Sequence, residues 1–106
     1  RNNMKQSLQN LGTLLIFLLL VGCATYGKDF SSDKVQNIQN NVTTQSEILD
    51  WFGVPFKEGI ENTHTMWTYQ LDKWYALAET KSKDLVILFD EKNIVKANRF
   101  TSSIDE

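Results

Sequence analysis

Residues Leu11 to Val21 are apolar apart from Gly12 and Thr13, and the run ends at Gly22 and the chain's single cysteine, Cys23. A helix that crosses a bilayer needs about 20 such residues. This run has about half that number, and polar Tyr26, Lys28 and Asp29 follow closely. Met4, read as the initiator, and Lys5 precede it, so the order is a charged start, an apolar stretch and a small residue, the layout of a secretory signal peptide. The feature divides the chain. Residues 1–22 are expected to be cut away, and folding is left to the 84 residues that remain of 106. With 42% hydrophobic and 23% charged residues overall, that length suits one small domain.

Leu20-Val21-Gly22-Cys23 resembles the bacterial lipobox. The resemblance implies that the Cys23 thiol receives a diacylglyceryl group, that the chain is cut before Cys23, and that the freed amine is acylated. Three acyl chains exceed the two signals that stable anchoring requires. Ala24 in the following position, where an Asp is absent, resembles the outer-membrane sorting signal of enteric bacteria, and the resemblance implies a domain on the periplasmic side of the outer membrane. The expected organisation is a signal peptide over 1–22, lipidated Cys23 and a flexible tether over 23–31, a folded domain over 32–100 and a tail over 101–106.

Charge and reactive side chains narrow the function classes. Removing residues 1–22 takes away Arg1 and Lys5 and no acid, so nine basic side chains face 13 acidic ones and the net charge moves from −2 to −4. Nucleic-acid binding needs clustered Lys and Arg, and here they are scattered among acids, which speaks equally against an anionic lipid surface. A lone cysteine excludes an internal disulfide framework and a thiolate zinc cluster; no metal or cofactor is expected. Nucleophilic catalysis needs a nucleophile, a base and an orienting group. Cys23 is committed to lipid, and His64, the single histidine, stands between Thr63 and Thr65 without a companion motif. The chain reads as a non-enzyme.

In "SSDKVQNIQNN", Ser32 can cap a short helix whose Val35 and Ile38 share a face. "TTQSEILDWFGVP" carries a capping box, Thr44 with Glu47, then an apolar stripe, with Gly53 and Pro55 ending the helix. Trp51 and Phe52 lie about 100° apart, so only one can point straight at the core. Beyond a Gly-containing loop, 56–62, the period changes to two. Thr65, Trp67, Tyr69 and Leu71 form one face of a strand. Leu85 to Phe89, a turn at Asp90 to Asn93, and Ile94 to Phe100 read as a hairpin, while 72–83 suits either a loop or strand extensions. The expected fold is α+β, two short N-terminal helices packed on one face of a three-stranded antiparallel sheet.

Ile38, Asn41-Val42-Thr43-Thr44, Glu47-Ile48, Phe52-Gly53-x-Pro55, Trp67-x-Tyr69 and Leu85-x-Ile87-x-Phe89-Asp90, in that order behind a lipobox, resemble the SmpA/OmlA (BamE-like) family of small outer-membrane lipoproteins. The chain departs from the family pattern at Asn41-Val42-Thr43, where Gly-Met-Thr is usual, and at Lys92-Asn93, where the turn usually has Gly. The resemblance implies the same α+β fold and an accessory protein-interaction role in outer-membrane assembly or envelope integrity, with envelope proteins such as β-barrel assembly subunits as partners. A small-ligand or enzyme-inhibitor module is the alternative. If Trp67 and Tyr69 face the helices, alternation turns Val86 and Leu88 to the other side, where Met66 and Phe100 are expected to complete an apolar patch. That patch calls for cover, by the 73–78 segment folding back or by a partner.

Overall fold

The computed structural model describes residues 23–76 and 78–104. Five strands form one antiparallel sheet: β1 (Cys23–Gly27), β2 (Lys57–Glu61), β3 (His64–Tyr75), β4 (Ala78–Phe89) and β5 (Val95–Ser102). One α-helix, α1 (Gln45–Phe52), precedes β2. The order across the sheet is β1-β3-β4-β5, and β2 lies along the same edge of β3 as β1, pairing with His64–Thr68 while β1 pairs with Leu71–Tyr75. β3 therefore carries two short strands end to end on one side and β4 on the other.

This corrects the expected fold of two helices on a three-stranded sheet. Of the two expected helices only α1 forms, and its capping box is complete: the Thr44 hydroxyl accepts from the Glu47 amide at 3.2 Å, and Glu47 Oε1 accepts from the Thr44 amide at 3.2 Å. The Ser32 segment makes only a 3-10 turn at Val35–Asn37, with no side-chain cap. Two apolar side chains among several asparagines bury too little to propagate a helix, whose nucleation is unfavourable. Its end is turned by Asn41 at φ 69° and tied down where the Asn41 amide donates to the Val95 carbonyl and the Val95 amide to the Thr43 carbonyl.

Two strands appear where none was expected. Lys57–Glu61 had the polar composition of a loop, yet it forms β2, an edge strand exposed along most of its length. Its hairpin to β3 turns through Asn62 and Thr63, both at positive φ (51° and 69°), the geometry that matches strand twist in two-residue loops. Residues 23–27 of the segment expected as a tether over 23–31 form β1, paired with β3 from Cys23, the first described residue. Residues 72–75 and 78–83 are strand extensions: β3 and β4 each run 12 residues and pair from Met66↔Leu88 to Tyr75↔Ala78, with a register shift between Lys73 and Tyr75.

Period two sorts the sheet's faces as alternation demands. Trp67, Tyr69, Leu71, Leu85, Ile87 and Phe89 are buried. Apart from Leu71, they form the core with Phe30, Ile48, Phe52 and Val95. Phe52 is the helix residue that enters, and Trp51 stays partly buried against it. Trp67 meets Phe89 edge-on at 5.1 Å; Tyr69 is tilted against Phe30 and Phe52 at 5.8 and 5.5 Å, and those two rings meet edge-on at 6.4 Å. The Tyr69 hydroxyl donates to the Gly53 carbonyl at 2.8 Å, joining the sheet to the end of α1.

Candidate functional site

Two regions stand out. The first is the face of the sheet opposite α1. The register sets Met66, Leu88 and Ala97 side by side across β3, β4 and β5, and Thr68, Val86 and Arg99 in the next row. Together they floor an open depression of about 580 Å³. Met66, Val86 and Leu88 are partly exposed, whereas Leu85, Ile87 and Phe89, of opposite parity in β4, are buried. Of the four expected patch residues, the fold brings these three together. Phe100 does not join them: it pairs with Leu85, packs against the core and stands 6.5 Å from the Phe30 ring on the helix side. The parity of β5 could not be counted from β4, because a register shift between Leu88 and Phe89 intervenes. Nor do the described residues of 73–78 fold back over the patch, since Lys73, Tyr75 and Ala78 continue the hairpin ladder. Arg99, which the sequence did not single out, adds a charge at the rim, 3.8 Å from Asp84.

The second region is the N-terminal end. Cys23 is the first described residue and pairs with Tyr75; Ala24 pairs with Trp74. The apolar run Leu11 to Val21 and the signal peptide assigned to 1–22 lie outside the described residues. Tyr26 stacks edge-on with Phe56 at 5.3 Å and lies 6.4 Å from Trp74, with Lys57 Nζ 5.5 Å from the Tyr26 ring. Gly27 closes β1 at φ +98°, and a Cβ there would lie 2.1 Å from the Gln70 carbonyl oxygen, so β1 reaches β3 only because this residue has no side chain.

Between these regions lies a buried cation. Lys83 is 4% exposed; its Nζ donates to the Phe30 carbonyl, stands 3.1 Å from Asp29 and lies 4.7 Å over the Phe30 ring. The hydrogen bond from Lys83, ahead of its long-range charge, holds the Asp29 carboxyl below the usual carboxylate range. These contacts bind the 28–31 segment to the sheet, a structural role that explains the burial of a charge on the core side.

His64 is occupied at the β2–β3 turn. Its Nδ1 lies 2.8 Å from the Asn62 carbonyl, which fixes Nδ1 as the donor, and Lys96 Nζ stands 3.4 Å from Nε2. Among the described residues no group of three or more His, Cys, Asp and Glu side chains is placed to hold a metal, and no helix is long and apolar enough to cross a membrane. No family model, no curated protein and no solved structure matches this chain. The SmpA/OmlA resemblance rests on the motifs alone.

Proposed function

We propose that the chain is a lipid-anchored, non-enzymatic lipoprotein of the outer membrane's periplasmic side, an accessory module that docks an envelope protein on the open face of its sheet. The observation that carries this is the two-row patch of Met66, Leu88, Ala97, Thr68, Val86 and Arg99, which no element of the described residues covers. An antiparallel sheet with one solvated face normally presents polar side chains there. Aliphatic Val86 and Leu88 at its centre, with charged Arg99 at the edge, have the apolar-centre and polar-rim pattern of a protein interface. The lipobox ending at Cys23 supplies the location, and the motif order resembling SmpA/OmlA lipoproteins supplies the envelope-assembly context.

Val86→Lys with Leu88→Lys tests the docking face, read by thermal unfolding and by photo-crosslinking from a probe at Met66 in intact envelopes. The expected result is a folded protein that no longer crosslinks to its envelope protein. Unchanged capture by the folded double variant removes this face from the reading. Cys23→Ser tests the anchor separately: an unacylated, uncleaved precursor held at the inner membrane is expected, and a normally processed outer-membrane protein contradicts it.

A further inference from the structure

The register of β1 has a geometric consequence for a protein anchored through Cys23. The cysteine is not at the end of a tether. Its backbone is paired in the sheet, opposite Tyr75, the last residue of β3 before the turn into β4. Acyl chains on Cys23 therefore set the β3–β4 hairpin tip at the same height as the anchor, within the few ångströms that separate paired strands.

Trp74 and Tyr75, the last residues of β3 before that tip, are not members of the core. Trp74 and Tyr75 are 45% and 40% exposed, and alternation puts them on opposite faces of the ribbon. Tyr26, 41% exposed, continues the aromatic surface beside Trp74. Large amphipathic rings at the end of a solvent-exposed hairpin are unfavourable in water, and Trp and Tyr concentrate at the headgroup level of bilayers. Just behind them Lys73 and Lys81 are directly opposed across β3 and β4. Like charges in that position repel, and an anionic surface relieves the repulsion, with about 1 kcal/mol of attraction per lysine close to a charged leaflet. The fold thus brings together two basic residues that the sequence separates. Among the acids nearby, Glu79 is exposed, Asp72 is already bonded by Gln70 Nε2 at 2.9 Å, and Asp29, which also feels the Lys73 charge, is paired with Lys83 at 3.1 Å.

We infer that the β3–β4 tip is a second membrane contact: Trp74 and Tyr75 seat in the headgroup layer of the leaflet that holds the Cys23 acyl chains, with Lys73 and Lys81 against anionic phospholipid. Anchor and tip then fix the orientation of the sheet, which stands on the bilayer and holds the Val86–Leu88 face away from it. This rests on acylation of Cys23 as proposed above.

Protein purified from membranes is weighed intact to read acylation, then reconstituted into phosphatidylcholine vesicles with and without phosphatidylglycerol, carrying brominated acyl chains that quench nearby tryptophan. Quenching is expected, stronger with phosphatidylglycerol, and most of it is lost in Trp74→Phe, since Trp67 and Trp51 sit in and against the core. In Lys73→Glu with Lys81→Glu the quenching in phosphatidylglycerol vesicles is expected to drop to the phosphatidylcholine level. An acylated, vesicle-bound protein whose quenching is the same in Trp74→Phe overturns the tip contact and leaves the anchor standing. A mass without acyl chains overturns the anchor, and the tip contact with it.

Discussion

Tyr69 shows how much one side chain carries. Its ring is buried among Phe30 and Phe52 while its hydroxyl donates to the Gly53 carbonyl. Burial, with the negative charge of Glu58 second, raises its ionisation well above the ordinary phenol range. The folded state keeps the proton longer than the unfolded chain, so this contribution is whole below about pH 10 and is lost as pH rises beyond it. Tyr69→Phe is expected to cost about 1 kcal/mol at neutral pH, and the gap to the parent protein should narrow above pH ~10. Urea unfolding at the two pH values checks this; a gap that stays constant would show that the phenol does not titrate with unfolding. Lys83 and Asp29 make an unequal pair, one buried and the other 72% exposed. Lys83→Met keeps the stem but leaves the Phe30 carbonyl without its donor, at about 1–3 kcal/mol. Asp29→Asn removes an exposed partner, worth at most about 1 kcal/mol. Equal losses in chemical denaturation would mean that the ion pair, and not the bond to Phe30, holds the 28–31 segment.

The elements differ in how far their residues announce them. α1 was legible because Thr44 and Glu47 are a local chemical device that works without the rest of the fold, and the core halves of β3 and β4 were legible because Trp67, Tyr69, Leu85, Ile87 and Phe89 alternate against a buried side. β1 and β2 were not. Each is a short edge strand whose stability comes from a ladder to β3 and not from burying its own side chains, so "KEGIE" carries no alternation to read. The same reasoning explains the hairpin tip, where both faces are wet and Lys73, Lys81 and Glu79 obscure the period. Of the open face, Met66, Val86 and Leu88 followed from parity, while Arg99 and the true side of Phe100 depended on a bulge that leaves no mark in composition. β1 is then the element most easily removed on its own. Gly27→Ala drives a Cβ into the Gln70 carbonyl at an unfavourable φ and should release residues 23–27 from β3. No core residue comes from β1, so the expected outcome is new proteolytic cleavage before Lys28 with only a small fall in melting temperature. Intact β1 protection in the variant would show that the backbone shifts to accommodate the methyl group.

At the scale of the molecule, the described residues form a single sheet with α1 against one face and at one end. The core lies where Trp67–Tyr69 and Leu85–Phe89 meet α1, and beyond Leu71 the hairpin is held by its ladder and by β1. Opening should therefore be graded, because segments with few buried contacts unfold locally without the whole. Trp67→Ala separates the two regimes. Truncating a buried Trp costs about 3–5 kcal/mol out of a typical 5–15 kcal/mol for a domain, and a domain of this size has little to spare. Amides of Leu85–Phe89 exchange only when the core opens, so their exchange in the variant should speed by roughly two to four decades, one decade for each 1.36 kcal/mol. Amides of 73–75 and 79–81 are expected to open locally without the core, and their rates should barely change. Native-state hydrogen exchange followed by mass spectrometry or NMR reads both at once. If the tip slows and speeds together with the core, the sheet is one all-or-none unit; if the two separate, the aromatic tip and the Cys23 strand form an independently opening unit, one whose ordering a bound bilayer can supply while the core holds the Val86–Leu88 face in place.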